Sequence, residues 1–511
     1  MLKVYSIFVD VLQLQISSKE DHSTQPVNLP PEIWHEIFQF ATYVHSSASI
    51  KPLDPFSPRR AITNAMGTNS YSMSMRTKRS LVLVSRSWRQ LSMPIFYEHI
   101  VIRSPSRAAK TLQVLEGSKR IMDPTMSHTE SERLGYGQWT RHLEIHTYAR
   151  GSKEIEFLKT IFRIMRCCPN LRFLSGIWIH QLPLEFLAVI TQLYASSELF
   201  SGLYWNDLNP KDFTDAASST FSTTSSPEFL ASFQSLRILD LRHFVGGDPV
   251  HRDPSLSSPT LPHVQDLVLS TYPRSMQAAT ILNLPSLRNL TLRTPDWKTG
   301  HEPVLKEFLK RHGSSLLMID LLSPSPDNEP DPDTTISRRT ATHINPDIFV
   351  REDLCPNLDT FVYPITSPQM TSSSHPKLRR IGLRGVRSDG LYPDKPSGTK
   401  DHLMSITSER YSNLELVQTI SFLVDSDGDS LSKDLFIWWT ERFEADGIDF
   451  RDGEGVLWAY TEPAEQSKAQ TTEVEPQVVE AKQNAEGLNP PKDVETTVIT
   501  VADIVDSVSG P

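Results

Sequence analysis

The sequence predicts an α/β protein in which a helical N-terminal region precedes a curved, mostly parallel sheet with helices on its outer side. Two observations support this fold class. Apolar residues recur at helical spacing in two segments between residues 29 and 100, and a short strand-like phrase then repeats along the chain, with amphipathic helical segments between some copies. Strands that alternate with helices at this spacing favour a parallel sheet. With 511 residues, the chain is long enough for two or three domains.

The charge, the apolar runs and the cysteine count of the chain indicate which kinds of partner and which compartment to expect. The net charge is −10, and the C-terminal segment 462–511 alone carries ten acidic residues against three lysines. A near-neutral body without a dense basic stripe argues against nucleic-acid binding, which depends on Lys and Arg contacts to phosphates. No apolar run approaches the ~18 residues of a membrane span. Three cysteines suggest a reducing compartment, cytoplasmic or nuclear, rather than a disulfide framework.

The N-terminal helical region spans residues 29–100, after an extension over 1–28 that lacks a signal-peptide cleavage site. In LPPEIWHEIFQFA (29–41), paired prolines suit a helix start, because first-turn N–H groups have no internal partner. A second helix is predicted in LVLVSRSWRQLSMPIFYEHI (81–100), with Pro94 as its end and a strand after it. The polar segment 42–78 is interpreted as a loop insertion. The predicted apolar faces consist of Ile33, Trp34, Ile37, Phe38 and Ala41, and of Leu81, Val84, Trp88, Leu91 and Ile95.

The combination of LPPEI, VSRSWRQL and PIFYEHIVI resembles the F-box of fungal, basidiomycete-type F-box proteins. This resemblance implies a substrate-recognition subunit of a Skp–cullin–F-box ubiquitin ligase, which binds a Skp-type adaptor and, through it, a cullin. Such a subunit is not an enzyme. The insertion at 42–78 departs from the short family pattern and leaves the middle helix undefined. The adaptor contacts that the resemblance implies are Leu29, Pro30, Ile33, Ile37, Phe38, Val84 and Trp88.

A phrase of the form apolar-x-x-apolar-x-apolar recurs after residue 139. Good copies are LRILDL (236–241), VQDLVL (264–269), LRNLTL (287–292), LLMIDL (316–321), LDTFVY (358–363) and LRRIGL (378–383), with weaker copies at 171, 200 and 414 and an incomplete one in RHLEIHTY (141–148). Helices are predicted at Glu154–Arg166, Leu184–Tyr194 and Pro303–Arg311. The region over 101–430 resembles a degenerate leucine-rich repeat, although its spacing is irregular and its asparagine ladder is missing. The alternative is an unrelated α/β domain in which the phrase arises by chance.

The outward positions of these strands are the expected contacts for an unknown target protein. The charged candidates are Asp240, Arg242, Arg293, Asp320, Arg380 and Arg384. Each of them is expected to be a solvated surface charge. Residues 431–461, with a helical stripe, a stop at Gly447 and a hairpin through DGEG, are predicted to cap the repeats. The tail over 462–511 is expected to be disordered.

No motif supports catalysis or a cofactor. HLEIH (142–146) places His142, Glu144 and His146 on one strand face, but the zinc-protease motif needs HExxH on a helix. DSDGDS (425–430) lacks the glycine and the bidentate glutamate of a calcium loop. Cys167 has no identifiable basic partner. No metal site is therefore predicted. The alternatives are a repeat-based interaction scaffold outside ubiquitination and, with less support, a metal-dependent or thiol enzyme.

Overall fold

The computed structural model describes residues 29–42, 54–57, 71–121, 135–147, 153–178, 182–207, 225–245, 258–270, 272–293, 301–322, 344–371, 374–420, 422–424 and 430–459. The described helices are α1 Pro31–Ala41, α2 Tyr71–Val84, α3 Arg86–Glu98, α4 Pro105–Ile121, α5 Lys153–Arg166, α6 Leu184–Tyr194, α7 Pro227–Ala231, α8 Pro273–Ile281, α9 Glu302–His312, α10 Gly398–Ser405 and α11 Ser430–Glu444. The strands are β1 His99–Ile102, β2 His142–Thr147, β3 Phe173–Trp178, β4 Gly202–Asn206, β5 Ile238–Asp240, β6 Asp266–Ser270, β7 Asn289–Arg293, β8 Met318–Leu322, β9 Thr360–Pro364, β10 Arg380–Arg384, β11 Leu416–Ile420 and β12 Asp449–Arg451.

The twelve strands form one open parallel sheet in which spatial order equals chain order, from β1 to β12. The predicted α/β class with a mostly parallel sheet is therefore confirmed. Every copy of the repeated phrase lies on a strand, and the three helices predicted between copies are present within one residue of their expected ends. Helices α4, α8 and α10 were not predicted. They are short or of weak amphipathic pattern, and α8 is rich in small residues.

A backbone interaction before each strand keeps the repeats in phase. The carbonyl of Arg141 accepts the N–H groups of both Arg172 and Phe173, at 2.8 and 2.9 Å. The residue before nearly every later strand repeats this pattern. Successive acceptors are the carbonyls of Arg172, Ser201, Arg237, Gln265, Arg288, Leu317, Asp359 and Arg379. Because each strand starts from an equivalent acceptor, the strands enter the sheet at the same level and their side chains align in rows.

Side chains reinforce this alignment one position before the leading apolar residue of each phrase. Asn170 Nδ2 donates to the carbonyl of Gln138 at 2.9 Å, and Asn357 Nδ2 donates to that of Ser314 at 2.7 Å. The same kind of bond to the preceding repeat is made by Ser235, Ser286 and Asn413. A mixed ladder of asparagine and serine thus satisfies turn carbonyls that would otherwise lack partners.

The core lies between the sheet and the outer helices. The last two apolar residues of each phrase point into it, as Leu290 and Leu292 of β7 illustrate, and both are fully buried. One hydrophobic cluster extends from Ile100 to Phe450 and includes Trp178 and Trp205, whose rings lie 5.1 Å apart. The side of the sheet that faces away from this cluster is here called the open face, although the central residues of its strands, such as Ser175 and Val362, are also buried.

The C-terminal end of the sheet is completed by α11 and β12. Phe436 and Phe443 of α11 stack on Phe450 of β12, at 4.5 and 5.2 Å between ring centroids. Gly447 joins the two elements with a φ of +74°, which favours glycine. After β12 the chain turns back at Gly455, and Arg451 bridges Leu457 in antiparallel fashion. The segment 462–511, for which disorder is predicted, lies outside the described residues, as do the extension 1–28 and nearly all of the calcium-like segment 425–430.

The N-terminal region differs from its prediction in three ways. Residues 71–78 belong to helix α2 and are not loop. The apolar pattern over 81–95 belongs to two helices, because Ser85 adopts an extended conformation and caps α3 by accepting the N–H of Trp88. Pro94 lies inside α3, which continues to Glu98. A proline in the last turns removes only one backbone bond, so the helix persists beyond it.

Candidate functional site

Three aromatic rings hold α1 and α3 together. Trp88 lies 4.9 Å from Trp34 and 4.8 Å from Phe38 between ring centroids, and Trp34 lies 5.8 Å from Phe38. Aromatic pairs at this separation and tilt add stabilisation beyond their buried area. Phe38 is only 1 % exposed, so its expected role as an adaptor contact is corrected: it is an interior residue of the helical module. Trp88 is half-buried in the same cluster.

The opposite side of α1 is apolar and uncovered. Ile33, Ile37 and Phe40 follow at steps of four and three, so they share one helical face. Ile33 is 46 % exposed and Phe40 56 % exposed, while Ile37 is half-buried. Leu29 and Pro30, which precede the helix, are half-buried and exposed, respectively. This exposed stripe runs alongside the buried Trp34 and Phe38.

A second uncovered apolar site lies where α2 ends. Leu83 is 82 % exposed and Val84 59 % exposed, immediately before the break at Ser85. Leu83 and Phe40 were not among the expected contacts. The run LVLV at 81–84 was a signal for them, because four consecutive apolar residues cannot all face the interior of one helix. We call Ile33, Ile37, Phe40, Leu83 and Val84 the N-terminal apolar set.

The open face of the sheet carries the polar side chains of the strands. Because β strands alternate their side chains, the residues between the core leucines align across neighbouring strands. One such row reads Val101, Glu144, Ser175, Tyr204, Asp240, Val268, Thr291, Asp320, Val362, Gly382 and Gln418. The residues expected to contact a target belong to this face or to the turns beside it.

Asp240 and Arg242 neutralise each other next to β5. Arg242 Nε donates to both carboxylate oxygens at 2.9 and 3.0 Å, and its Nη2 donates at 2.7 Å. The guanidinium also lies 5.1 Å from the centre of the Tyr204 ring. Both charged residues are buried. Arg242 follows Asp240 by two residues, and its side chain folds back onto the Asp240 carboxylate.

Asp320 and Arg384 form a second buried pair between β8 and β10. Nε and Nη2 of Arg384 donate to the carboxylate at 2.8 to 2.9 Å. Strand β9 lies between them, so the pair crosses above it, and Val362 in the same row is fully buried. A bidentate geometry of this kind offsets part of the desolvation cost of the two charges.

These contacts correct the expectation that all six charged candidates are solvated. Asp240, Arg242, Asp320 and Arg384 are buried and paired within the chain. Arg293 is half-buried at the end of β7. Arg380, whose side chain is 40 % exposed, is the candidate most available to a partner.

A histidine–glutamate cluster occupies the first strands of the open face. The carboxylate of Glu144 lies 2.6 Å from His146 Nε2 and 3.3 Å from His99 Nε2. His142 stacks on His99 with ring centroids 4.3 Å apart and contacts Ser175 Oγ at 2.8 Å. Burial and the neighbouring His99 lower the pKa of His142 to about 3. Burial alone would raise the pKa of Glu144, but hydrogen bonds to His146 and His99 hold it below its ordinary value.

This cluster does not have the arrangement of a metal centre. Within the part of the chain that the structure describes, no group of three or more His, Cys, Asp or Glu side chains has metal-binding geometry. Glu144 instead binds two imidazoles as hydrogen-bond partners, which satisfies a buried carboxylate without an ion.

The cysteines have the environment of structural thiols. Cys167, Cys168 and Cys355 are free and buried. Burial raises the pKa of Cys168 and of Cys355 to about 12, and it raises that of Cys167 as well. Each remains a protonated thiol at neutral pH, whereas a nucleophilic cysteine requires the thiolate.

No protein-family model matches the chain, and no curated protein sequence is significantly similar to it. Among the described helices, none combines the length and the apolar character needed to cross a membrane.

We expect Arg384→Met to lower the free energy of unfolding by about 3–5 kcal/mol, because it removes a guanidinium that donates three hydrogen bonds to the buried carboxylate of Asp320. The matched control is Arg379→Met, whose partner Glu415 is exposed. That change should leave the unfolding free energy unaltered within error. Urea denaturation followed by circular dichroism measures both. Equal effects of the two substitutions would contradict a stabilising role for the buried pair.

We expect His142→Gln to flatten the acid dependence of stability. In the folded protein His142 stays neutral to a pH of about 3, whereas in the unfolded chain it takes up a proton near pH 6.5. Stability from this group is therefore present above pH 6.5 and is lost as the pH falls toward 3. Between pH 7 and pH 5 wild type should lose up to about 2 kcal/mol more than the variant. His263→Gln, at an exposed site, should behave as wild type, and parallel curves for all three proteins would refute the assignment.

Proposed function

We propose that this chain is a non-catalytic substrate-recognition subunit of a Skp–cullin–F-box ubiquitin ligase. Helices α1 to α3 bind a Skp-type adaptor, and through it a cullin, while the open face of the sheet holds a target protein. The ligase brings the lysines of that target close to the activated ubiquitin, so the contribution of this chain is proximity. Its place of action is the cytoplasm or the nucleus.

The observation that carries the proposal is the uncovered N-terminal apolar set. Four of its members are largely exposed, Ile33 and Phe40 on α1 and Leu83 and Val84 on α2. Each apolar side chain left in water forgoes about 25 cal/mol for every Å² that a partner would cover. The same helices already use Trp34, Phe38 and Trp88 to form their own interior. The remaining apolar surface is therefore available for a partner, as in a helical module that docks onto an adaptor.

The connection between the helical module and the sheet also supports the proposal. Helix α3 ends at Glu98 and β1 begins at His99, without an intervening linker. Tyr97 at the end of α3 stacks on Tyr136 at 4.9 Å between ring centroids. A direct joint of this kind fixes the distance between an adaptor and a bound target. A defined distance is what a proximity mechanism requires.

The open face offers a surface of a different character. Its central charges are paired internally, while Arg380 and the neighbouring Arg379 reach solvent at the start of β10. A parallel sheet of many strands brings the exposed residues at its strand starts into one line, which suits an extended protein ligand. A repeat-based scaffold outside ubiquitination would use the same face but would not need the N-terminal apolar set. Binding of an adaptor to the N-terminal apolar set would therefore distinguish the two functions.

We expect Val84→Asp and Ile37→Asp each to weaken binding to a purified Skp-type adaptor by at least about 100-fold. A carboxylate in the centre of an apolar interface leaves a buried, unpaired charge. The matched control is Ile155→Asp on α5, where a β-branched residue is also 59 % exposed. Surface plasmon resonance with the full chain measures the three affinities.

The same proteins define the outcomes that would refute the proposal. If wild type fails to bind the adaptor, the ligase function is wrong and the scaffold function stands. If Val84→Asp and Ile155→Asp have the same affinity as wild type, binding occurs elsewhere on the chain. The unfolding midpoints of Val84→Asp and Ile155→Asp should match that of wild type, because both side chains are 59 % exposed.

A further inference from the structure

A four-residue turn from the insertion between α1 and α2 lies on the open face of the sheet. Residues 54–57 read Asp-Pro-Phe-Ser, and the ring centre of Phe56 lies 5.3 Å from the guanidinium carbon of Arg380. Arg380 is the first residue of β10. Its neighbours Ile381 and Leu383 point into the core, so the Arg380 side chain belongs to the open face. A segment of the N-terminal module therefore contacts the surface that we assign to targets.

The turn is held by its own hydrogen bonds. The Ser57 N–H donates to the carbonyl of Asp54 at 3.0 Å, and the Phe56 N–H donates to the Asp54 carboxylate at 3.0 Å. Aspartate at the first position and proline at the second are the residues that this kind of β-turn favours. The turn presents Phe56 at its third position. Because its shape is encoded locally, another protein chain could present the same shape at a small entropic cost.

On the sheet side of the contact, neighbouring residues hold the side chain of Arg380 in place. Arg380 Nε donates to Thr360 Oγ1 at 2.9 Å, and its Nη2 lies 3.5 Å from Asp359 Oδ2. Thr360 Oγ1 in turn donates to Asp359 Oδ2 at 2.8 Å. These bonds hold the guanidinium in the place where its carbon lies over the aromatic ring, a position in which arginine and phenylalanine attract each other. Within the turn, Pro55 is buried and Phe56 is half-buried.

We propose that the Asp54–Ser57 turn is a resident ligand of a peptide site on the open face, and that this site takes a turn of the form Asp-Pro-aromatic from a target protein. Arg380, oriented by Thr360 and Asp359, is the residue that recognises the aromatic ring. The inference rests on the proposed function in that the open face is the surface for targets. A target with the same turn displaces the resident one, so the insertion restricts the site to ligands that bind well enough to compete.

A fluorescent peptide with the sequence of residues 50–60 tests the proposal on the full-length chain by fluorescence anisotropy, at protein concentrations up to the millimolar range. A tethered ligand acts at an effective concentration near millimolar. Wild type should therefore bind the peptide weakly, and Phe56→Ala, which vacates the site, should bind it at least about tenfold more tightly. A peptide with alanine in place of the phenylalanine should not bind.

The control variants separate the site from general electrostatics. In the Phe56→Ala background, Arg380→Ala should abolish peptide binding. Arg387→Ala removes an equally charged but exposed side chain that pairs with Asp389, and it should leave binding intact. Equal unfolding midpoints for all variants exclude misfolding as the cause of any loss.

Three results would overturn the proposal: equal peptide affinity for wild type and Phe56→Ala, no saturable binding to Phe56→Ala, or binding that persists after Arg380→Ala. Adaptor binding is measured on the same variants and should not change, since none of these residues belongs to the N-terminal apolar set. Peptide binding with no adaptor binding would refute only the ligase function. Adaptor binding with no peptide binding would refute only the resident ligand.

Discussion

The rest of this structure depends on one backbone interaction. A carbonyl just before one strand accepts the two successive N–H groups at the start of the next strand. That pair of bonds recurs from the Arg141 carbonyl to the Arg379 carbonyl and joins ten strands, β2 to β11, in the same register, while β1 and β12 are joined to them by one such bond each. Once the register is common, the pleat divides side chains into two sets that cannot exchange. Leucines enter the core against the helices, and polar residues align on the open face. The spacing between strands can then vary freely, because insertions lengthen the connections without changing the starting point of any strand. An irregular repeat length is thus compatible with a regular sheet.

The sequence was informative where structure depends on local pattern. The two apolar residues that close each phrase identify a strand and its buried face, as Leu290 and Leu292 do for β7, and the three helices predicted between copies needed only their own periodicity. Features that depend on distant partners were not predictable. Asp320 and Arg384 are 64 residues apart, and only the register of β8 to β10 brings them together. Charged residues on outward positions were therefore expected to be solvated, whereas four of six are buried.

In the N-terminal helices, the local sequence pattern itself did not predict where one helix ends and the next begins. Apolar spacing over 81–95 predicts one continuous helix, because the pattern does not register the change of direction at Ser85. The capping hydroxyl of Ser85 starts a new helix and leaves Leu83 and Val84 at the end of the previous one, where the interior is out of reach. The helical periodicity identified the apolar residues of these helices. Only the packing of Trp34, Phe38 and Trp88 against one another determines which of those residues lie inside the helical module. The apolar residues that stay outside the interior form the N-terminal apolar set, on which the proposed function depends.

The two surfaces of this chain differ in how they can gain binding energy. The N-terminal set is apolar, so a partner gains by covering it and specificity comes from shape. On the open face, the buried pairs of Arg242 and Arg384 are already satisfied and would cost energy to break, which confines recognition to the few groups left at the start of the strands. Arg380 is such a group, and the chain brings its own phenylalanine to it from a loop whose ends both lie in the helical module. A ligand that displaced Phe56 from Arg380 would therefore act on the same chain segment that joins α1 to α2, so events at the start of β10 and at the N-terminal helices are linked through it.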